Sequence, residues 1–279
     1  MAHAISLMEA ATLGVVQGLT EFLPISSTAH LRVVPALLHW QDPGAAYSAV
    51  IQLGSVLAVL TYFFRDLINI AAGSAEALKN KDYSDRNLRL SGAIIVGTIP
   101  VCVIGLILKG LLESDSSPLR SLNVIGGAAI FMGLALLAAE KLCKHARGID
   151  EIRGLDGLLV GCGQAMALIP GCSRSGSTLT VAMLLGMKRA DAARFSFLLG
   201  IPAIMLSGLL ELKHMLEDGL GDAGAASLAV GLIVSTVVSY LSIVWLLRFL
   251  QNHSTWVFVL YRLIFGITVI VLYQAHAVQ

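Results

Sequence analysis

Glu21, Ser27 and His30 lie close together in the run GLTEFLPISSTAH, and Arg174 sits in a second polar run, IPGCSRSGST. A carboxylate, a hydroxyl and an imidazole at this spacing can form a nucleophile, its general base and an orienting group. Arg presents a planar fork that matches two phosphate oxygens at once. Around these four cluster Gln17, Ser26 and Thr28 in the first run, and Ser173, Ser175, Gly176 and Thr178 in the second. Ser- and Gly-rich turns that open onto a helix offer backbone N–H groups and a positive dipole end to an anion. Together the set suits phosphate. Ser27 is the expected nucleophile, with direct attack by water as the alternative. His30 is expected to transfer the proton. Glu21 is expected to support it, activate a hydroxyl or water, or bind a metal ion. Arg174 is the expected phosphate clamp, and the remaining residues are expected to bind substrate.

The elements that must position these groups are apolar. Hydrophobic residues make up 56% of the 279 and charged ones 13%, and the mean hydropathy is +0.80. An ordinary soluble domain carries about 25% charged residues, so lipid is the expected solvent. Six apolar stretches, at about 45–64, 91–110, 120–140, 195–212, 226–247 and 255–275, are long enough for membrane helices. Two more, about 5–40 and 154–187, are broken in the middle by Pro, Gly, Ser and charge. Non-helical backbone is tolerated at membrane depth only inside protein or against water, so each broken stretch predicts a re-entrant helical hairpin. Ionisable groups at such depth are costly and usually functional.

Orientation follows from Lys and Arg. Segments 65–89, 141–153 and 188–194 carry five, four and three, whereas 109–120 and 211–222 hold Lys109, Arg120 and Lys213 beside Glu113, Asp115, Glu211, Glu217, Asp218 and Asp222. With the basic segments inside, both termini fall outside and the two hairpins enter from opposite faces. Pro24 and Pro170 are 146 residues apart, as are Gly54 and Gly200. The expectation is a single all-α membrane domain over 1–279, built as an inverted-topology repeat of about 1–140 and about 150–279. Such folds place their site at the midplane.

Other polar groups have plainer readings. Thr20, Ser177 and Thr180 either serve the site or satisfy loosened helix carbonyls. Pro24 and Pro170 shape the hairpins. Arg32 reads as an interfacial snorkelling residue, with a second phosphate contact as the alternative. The other histidines fall near expected ends and loops, and Gly126, Gly127 and Gly133 suit helix packing. Cys102, Cys143, Cys162 and Cys172 lack CxxC spacing and read as buried apolar groups. The N-terminus lacks a basic n-region, so no cleavable signal is expected. A net charge of +1 gives no reason to expect a nucleic-acid partner. Walker A and HExxH patterns are absent from the sequence.

Gln17-x-x-x-Glu21 leading into Phe-Leu-Pro-Ile-Ser-Ser-Thr-Ala-His, with Pro170-Gly-Cys-Ser-Arg-Ser-Gly-Ser-Thr178, resembles the two signature motifs of the bacitracin-resistance type undecaprenyl-diphosphate phosphatases. The IQLG at 51–54 and the Tyr261-Arg262 pair are similar to that family too, and length and span layout extend the likeness to essentially the whole chain. The resemblance implies a bacterial inner-membrane hydrolase with its site open to the outer, periplasmic face. It would remove the terminal phosphate of undecaprenyl diphosphate, recycling the carrier for peptidoglycan and other surface polymers. Bacitracin sequesters the same diphosphate, which links the activity to resistance. The implied partners are a polyprenyl diphosphate, membrane lipid and a second copy in a homodimer. The implied cofactor is a divalent cation, Mg2+ or Ca2+, with Glu21 as its candidate ligand. Gln17 stands where many members have Glu, and Ala29 where Gly is usual. A transporter or flippase of an anionic lipid is the rival reading, since inverted repeats with broken helices are also transporter architecture.

Overall fold

The first helix starts where a Ser-x-x-Glu pattern permits it. The Ser6 hydroxyl accepts from the Glu9 N–H at 3.2 Å, and the Glu9 carboxylate accepts from the Ser6 N–H at 2.7 Å. Two donors that a helix start leaves open are thereby satisfied. In the computed structural model, which describes residues 5–42, 44–112, 117–217 and 224–275, the chain is helical almost throughout. The helices are α1 (Leu7–Phe22), α2 (Ser27–Leu37), α3 (Gly44–Tyr62), α4 (Phe64–Asn80), α5 (Arg86–Ile107), α6 (Lys109–Leu112), α7 (Leu122–Leu142), α8 (Gly154–Ala165), α9 (Arg174–Leu184), α10 (Arg189–Glu217), α11 (Gly224–Asn252) and α12 (Trp256–Gln274).

The six expected spans appear as α3, α5, α7, α10, α11 and α12. Among the described residues five of them are long and apolar enough to cross a membrane, and α3 becomes a sixth only when joined to α4 across a 68° bend. The protein is an all-helical, multi-pass membrane protein. Helix α4 is a correction, since this stretch reads as a basic loop in the sequence. Its Leu67, Ile70 and Ala77 turn toward the core while Arg65, Asp66 and Lys79 stand elsewhere on the helix. That spacing gives the helix one apolar side and one charged side.

The interrupted stretches become the pairs α1–α2 and α8–α9. Helices α2 and α9 have 11 residues each. At about 1.5 Å per residue each is roughly 16 Å long, half of a hydrocarbon core about 30 Å thick. Glycines let the helices beside them approach closely. A Cβ at Gly14 or Gly18 in α1 would strike the backbone of α11, and one at Gly157 or Gly161 in α8 would strike that of α5. Gly126 in α7 and Gly266 in α12 meet in the same way, whereas Gly127 faces open space. Small residues at such crossings give membrane helices their packing.

The three basic segments converge on one face. Arg194 pairs with Asp66 at 2.7 Å, and Arg86 with Asp150 at 3.1 Å. Arg147 pairs with Asp156 at 2.8 Å, and Arg189 with Glu140, which also accepts from the Thr255 hydroxyl at 2.8 Å. Glu113, Asp115, Asp218 and Asp222 of the acidic segments lie outside the described residues, as do His3 and His276. All four cysteines are free thiols.

Candidate active site

Helix α1 ends at Phe22, two residues before Pro24, which cannot continue it. The chain then turns at Ser26 (φ 78°), whose hydroxyl accepts the Ala29 N–H at 3.4 Å and so starts α2. The second tip repeats the device. Ser173 (φ 68°) accepts the Gly176 N–H at 3.1 Å and starts α9. These two caps are 147 residues apart (173 − 26), one more than the two prolines. Gly171 is the extra residue, and its φ of 95° suits glycine. Non-glycine residues in this backbone region cost about 1–3 kcal/mol and persist only when their surroundings hold them.

Two side chains of α12 hold the tips. Arg262, 1% exposed, donates to Pro24 O of the first tip at 2.9 Å and to Gly171 O and Cys172 O of the second at 2.8 and 3.1 Å. Its Nε reaches Ala129 O of α7 at 3.2 Å. The guanidinium thus staples both tips to the body. Tyr261 OH lies 2.6 Å from His30 Nε2, while His30 Nδ1 lies 2.7 Å from Ser26 O. The imidazole stacks on Phe265, with centroids 4.4 Å apart. Both ring nitrogens therefore face away from Glu21 and Ser27. The expected arrangement with His30 between Ser27 and Glu21 does not form, because the imidazole closes onto its own tip's carbonyl.

Glu21 instead receives the hydroxyl directly. Ser27 Oγ donates to Glu21 Oε2 at 2.7 Å, and Gln17 Nε2, one turn back on α1, donates to the same oxygen at 2.9 Å. Glu21 Oε1 takes Gln52 Nε2 at 2.9 Å and Arg174 Nη2 at 3.2 Å. Every acceptor direction of the carboxylate is thereby used. A buried charge survives only when paired and hydrogen-bonded in this way. Arg174 Nη1 continues to Ser196 O at 3.3 Å, and its Nε has no partner among the described residues. Gly200 makes room for it, since a Cβ there would overlap the guanidinium. Behind Gln17, Ser55 links to Ser239 of α11 at 2.8 Å.

A cavity of about 310 Å³ opens beside this cluster, walled by Gln17, Ser27, Thr28 and Gln52, with Leu31, Ile125 and Leu168 further along. Of the expected substrate-binding set, Gln17 and Thr28 reach its wall. Ser26 and Ser173 cap helices, and Ser175 Oγ crosses between the tips to Leu23 O at 2.9 Å. Gly176 approaches Arg262 too closely for a Cβ, and Thr178 bonds Arg174 O and the Ser196 hydroxyl. Thr20, Ser177 and Thr180 satisfy Val16 O, Ser173 O and Gly176 O. Gln52, Ser196, Tyr261 and Arg262 take part although their residue types and spacing alone do not single them out for chemistry. Gln52 had a signal, an amide in an apolar span, and Arg262 a stronger one, a lone cation in the middle of 255–275.

A divalent cation does not fit this donor set. Glu21 is the one carboxylate in the cluster, both its oxygens are saturated, and a guanidinium already neutralises it. No group of three or more His, Cys, Asp or Glu forms a metal site among the described residues.

A family model described as "Bacitracin resistance protein BacA" matches residues 10–268. The chain is 58% identical over 266 residues to an undecaprenyl-diphosphatase of Gloeobacter violaceus, covering 95% of this chain and 91% of that relative. It is 54% identical over 275 residues to one of Trichormus variabilis (98% and 86%), and 53% identical over 266 residues to one of Synechococcus elongatus (95% and 92%).

Proposed function

The chain belongs to the bacitracin resistance protein BacA family, and we propose from that premise that it hydrolyses undecaprenyl diphosphate to undecaprenyl phosphate and inorganic phosphate. The reaction recycles the lipid carrier for cell-wall synthesis. The observation that carries this reading is the Ser27–Glu21–Arg174 cluster, which reaches the cavity wall through Ser27: a hydroxyl on a carboxylate at 2.7 Å, with a guanidinium on that carboxylate's other oxygen at 3.2 Å.

Phosphoryl transfer asks mostly for positioning and charge stabilisation. Ser27 Oγ attacks the terminal phosphorus as its proton passes to Glu21. The bond to the bridging oxygen breaks, and its electron pair leaves with the prenyl phosphate. A phosphate is a good leaving group, so no general acid is required there. Glu21 releases that proton to solvent, takes one from the water that attacks the phosphoserine, and passes it to Ser27 Oγ as the P–O bond breaks and inorganic phosphate leaves. Arg174 uses its open Nε and shares its fork between Glu21 and the terminal phosphate. The first N–H groups of α2, which have no intrahelical partners, face the anion with Thr28. His30 is a positioning residue that holds the Ser26 carbonyl. Ser173, Ser175, Gly176 and Thr178 keep the second tip in shape.

The architecture fits two re-entrant hairpins in an inverted repeat, entering from opposite faces. Supporting this are the matching Ser26 and Ser173 caps and the glycine-mediated pairing of α1 with α11 and α8 with α5. The face on which basic segments converge is assigned to the cytoplasm and the cavity mouth to the outer side of the inner membrane. The test is phosphate release from undecaprenyl diphosphate by detergent-purified protein. Substrate binding without release, in a preparation that translocates lipid, would favour the transporter reading instead.

A further inference from the structure

The substrate carries two phosphates, and the Glu21 cluster accounts for one. Further along the same cavity wall stand Arg32, Asp42 and Ser117. Arg32 follows Thr28 by one helical turn, so both side chains lie on one face of α2. It follows Ser27 by five residues, about 7.5 Å of axial rise. Its Nη1 is paired with Asp42, and its Nε is buried without a hydrogen-bond partner among the described residues. The Ser117 hydroxyl, in a residue 6% exposed, also lacks one. Buried donors left open are expensive, and two on one cavity wall describe a place for an acceptor. Apolar Leu31, Leu119 and Ile125 adjoin them, as a prenyl chain next to its phosphate requires.

We propose that Arg32 and Ser117 form a second phosphate subsite that takes the lipid-linked phosphate, with Asp42 holding Arg32 until substrate arrives. The proposal rests on the phosphatase reading. Asp42 is the fixed member of the pair, because its Oδ1 also accepts the Gly44 N–H at 3.1 Å at the start of α3. Arg32 is the longer and more adaptable one. When the bridging bond breaks, the electron pair stays on the lipid-linked phosphate, and Arg32 neutralises the charge that develops there.

The experiment measures undecaprenyl monophosphate and undecaprenol binding to purified protein by calorimetry, beside turnover of the diphosphate. Arg32→Ala is expected to weaken monophosphate binding at least tenfold, leave undecaprenol binding within twofold, and lower kcat/KM at least tenfold. Arg32→Lys restores part of both losses. Asp42→Asn frees Arg32 and tightens monophosphate binding several-fold. Equal losses for monophosphate and undecaprenol, or no loss for either, would overturn the proposal. So would an Asp42→Asn variant that binds monophosphate as poorly as Arg32→Ala, since the pair would then be structural. The binding arm is independent of turnover. A wild-type protein that binds monophosphate through Arg32 yet releases no phosphate would refute the phosphatase reading and leave the subsite standing.

Discussion

Glu21 and Arg174 are 153 residues apart in the chain and meet at 3.2 Å, with side chains 2% and 11% exposed. One comes from each broken segment, so the ion pair exists only while the two tips are docked. Removing one member of such a buried pair strands the other at a cost of about 3–5 kcal/mol. Arg174→Lys keeps the charge but loses the fork and the open Nε. Turnover should fall at least tenfold, about 1.4 kcal/mol of transition-state binding. A Lys variant with native kcat/KM would remove Arg174 from the chemistry.

Gly200 offers a way to move Arg174 without mutating it. An alanine there places its Cβ on the guanidinium, the movable end of a long side chain. The protein should still fold, with a lowered Tm because the buried pair with Glu21 is disturbed, while kcat/KM drops roughly tenfold or more. An active Gly200→Ala enzyme would mean that Arg174 need not sit where Glu21 and Ser196 hold it.

His30 separates support from chemistry. Its Nδ1 faces Ser26 O and its Nε2 faces Tyr261 OH, so its effect should pass through the shape of the tip. His30→Ala should lower kcat by roughly 10²-fold, a size also typical of general acid–base groups. Asparagine can still donate to the Ser26 carbonyl, so His30→Asn should recover about tenfold of that loss, a recovery worth about 1.4 kcal/mol. If both variants are equally inactive, with Tyr261→Phe near native, the imidazole itself moves the proton.

Orientation can be read with cysteines introduced into a background lacking the native four. At Ser84 and Ala146, both exposed on the basic face, they should resist an impermeant external thiol reagent. At Gln41 and Ala225 they should react. External labelling at Ser84 would reverse the assignment and with it the side on which the cavity opens.

Much of this was legible because apolar runs near 20 residues long have few alternatives in lipid. Helix α4 was hidden, since its apolar residues recur at helical spacing among charges that read as loop. Glu21, Ser27 and Arg174 were found by residue type, because deep polar groups are rare in such a chain. Their wiring was not, because spacing alone makes His30 as good a partner for Ser27 as Glu21. The positive φ at Ser26 turns the imidazole back onto the tip, and nothing in local sequence announces that turn. The 146-residue spacing of the prolines pointed to the second tip but missed its cap by one residue, because Gly171 lengthens that turn.

The central claim is that Ser27, activated by Glu21, cleaves the diphosphate. The most direct measurement is inorganic phosphate released per second from undecaprenyl diphosphate by purified wild-type, Ser27→Ala and Glu21→Gln proteins, at substrate concentrations that saturate each. Both variants should bind substrate yet lose at least roughly 10²-fold in kcat, since each lacks a group that acts on the reacting bond. Wild-type protein should also yield a phosphoserine at Ser27 on rapid acid quench. Native-rate phosphate release by a folded Ser27→Ala protein would contradict the account.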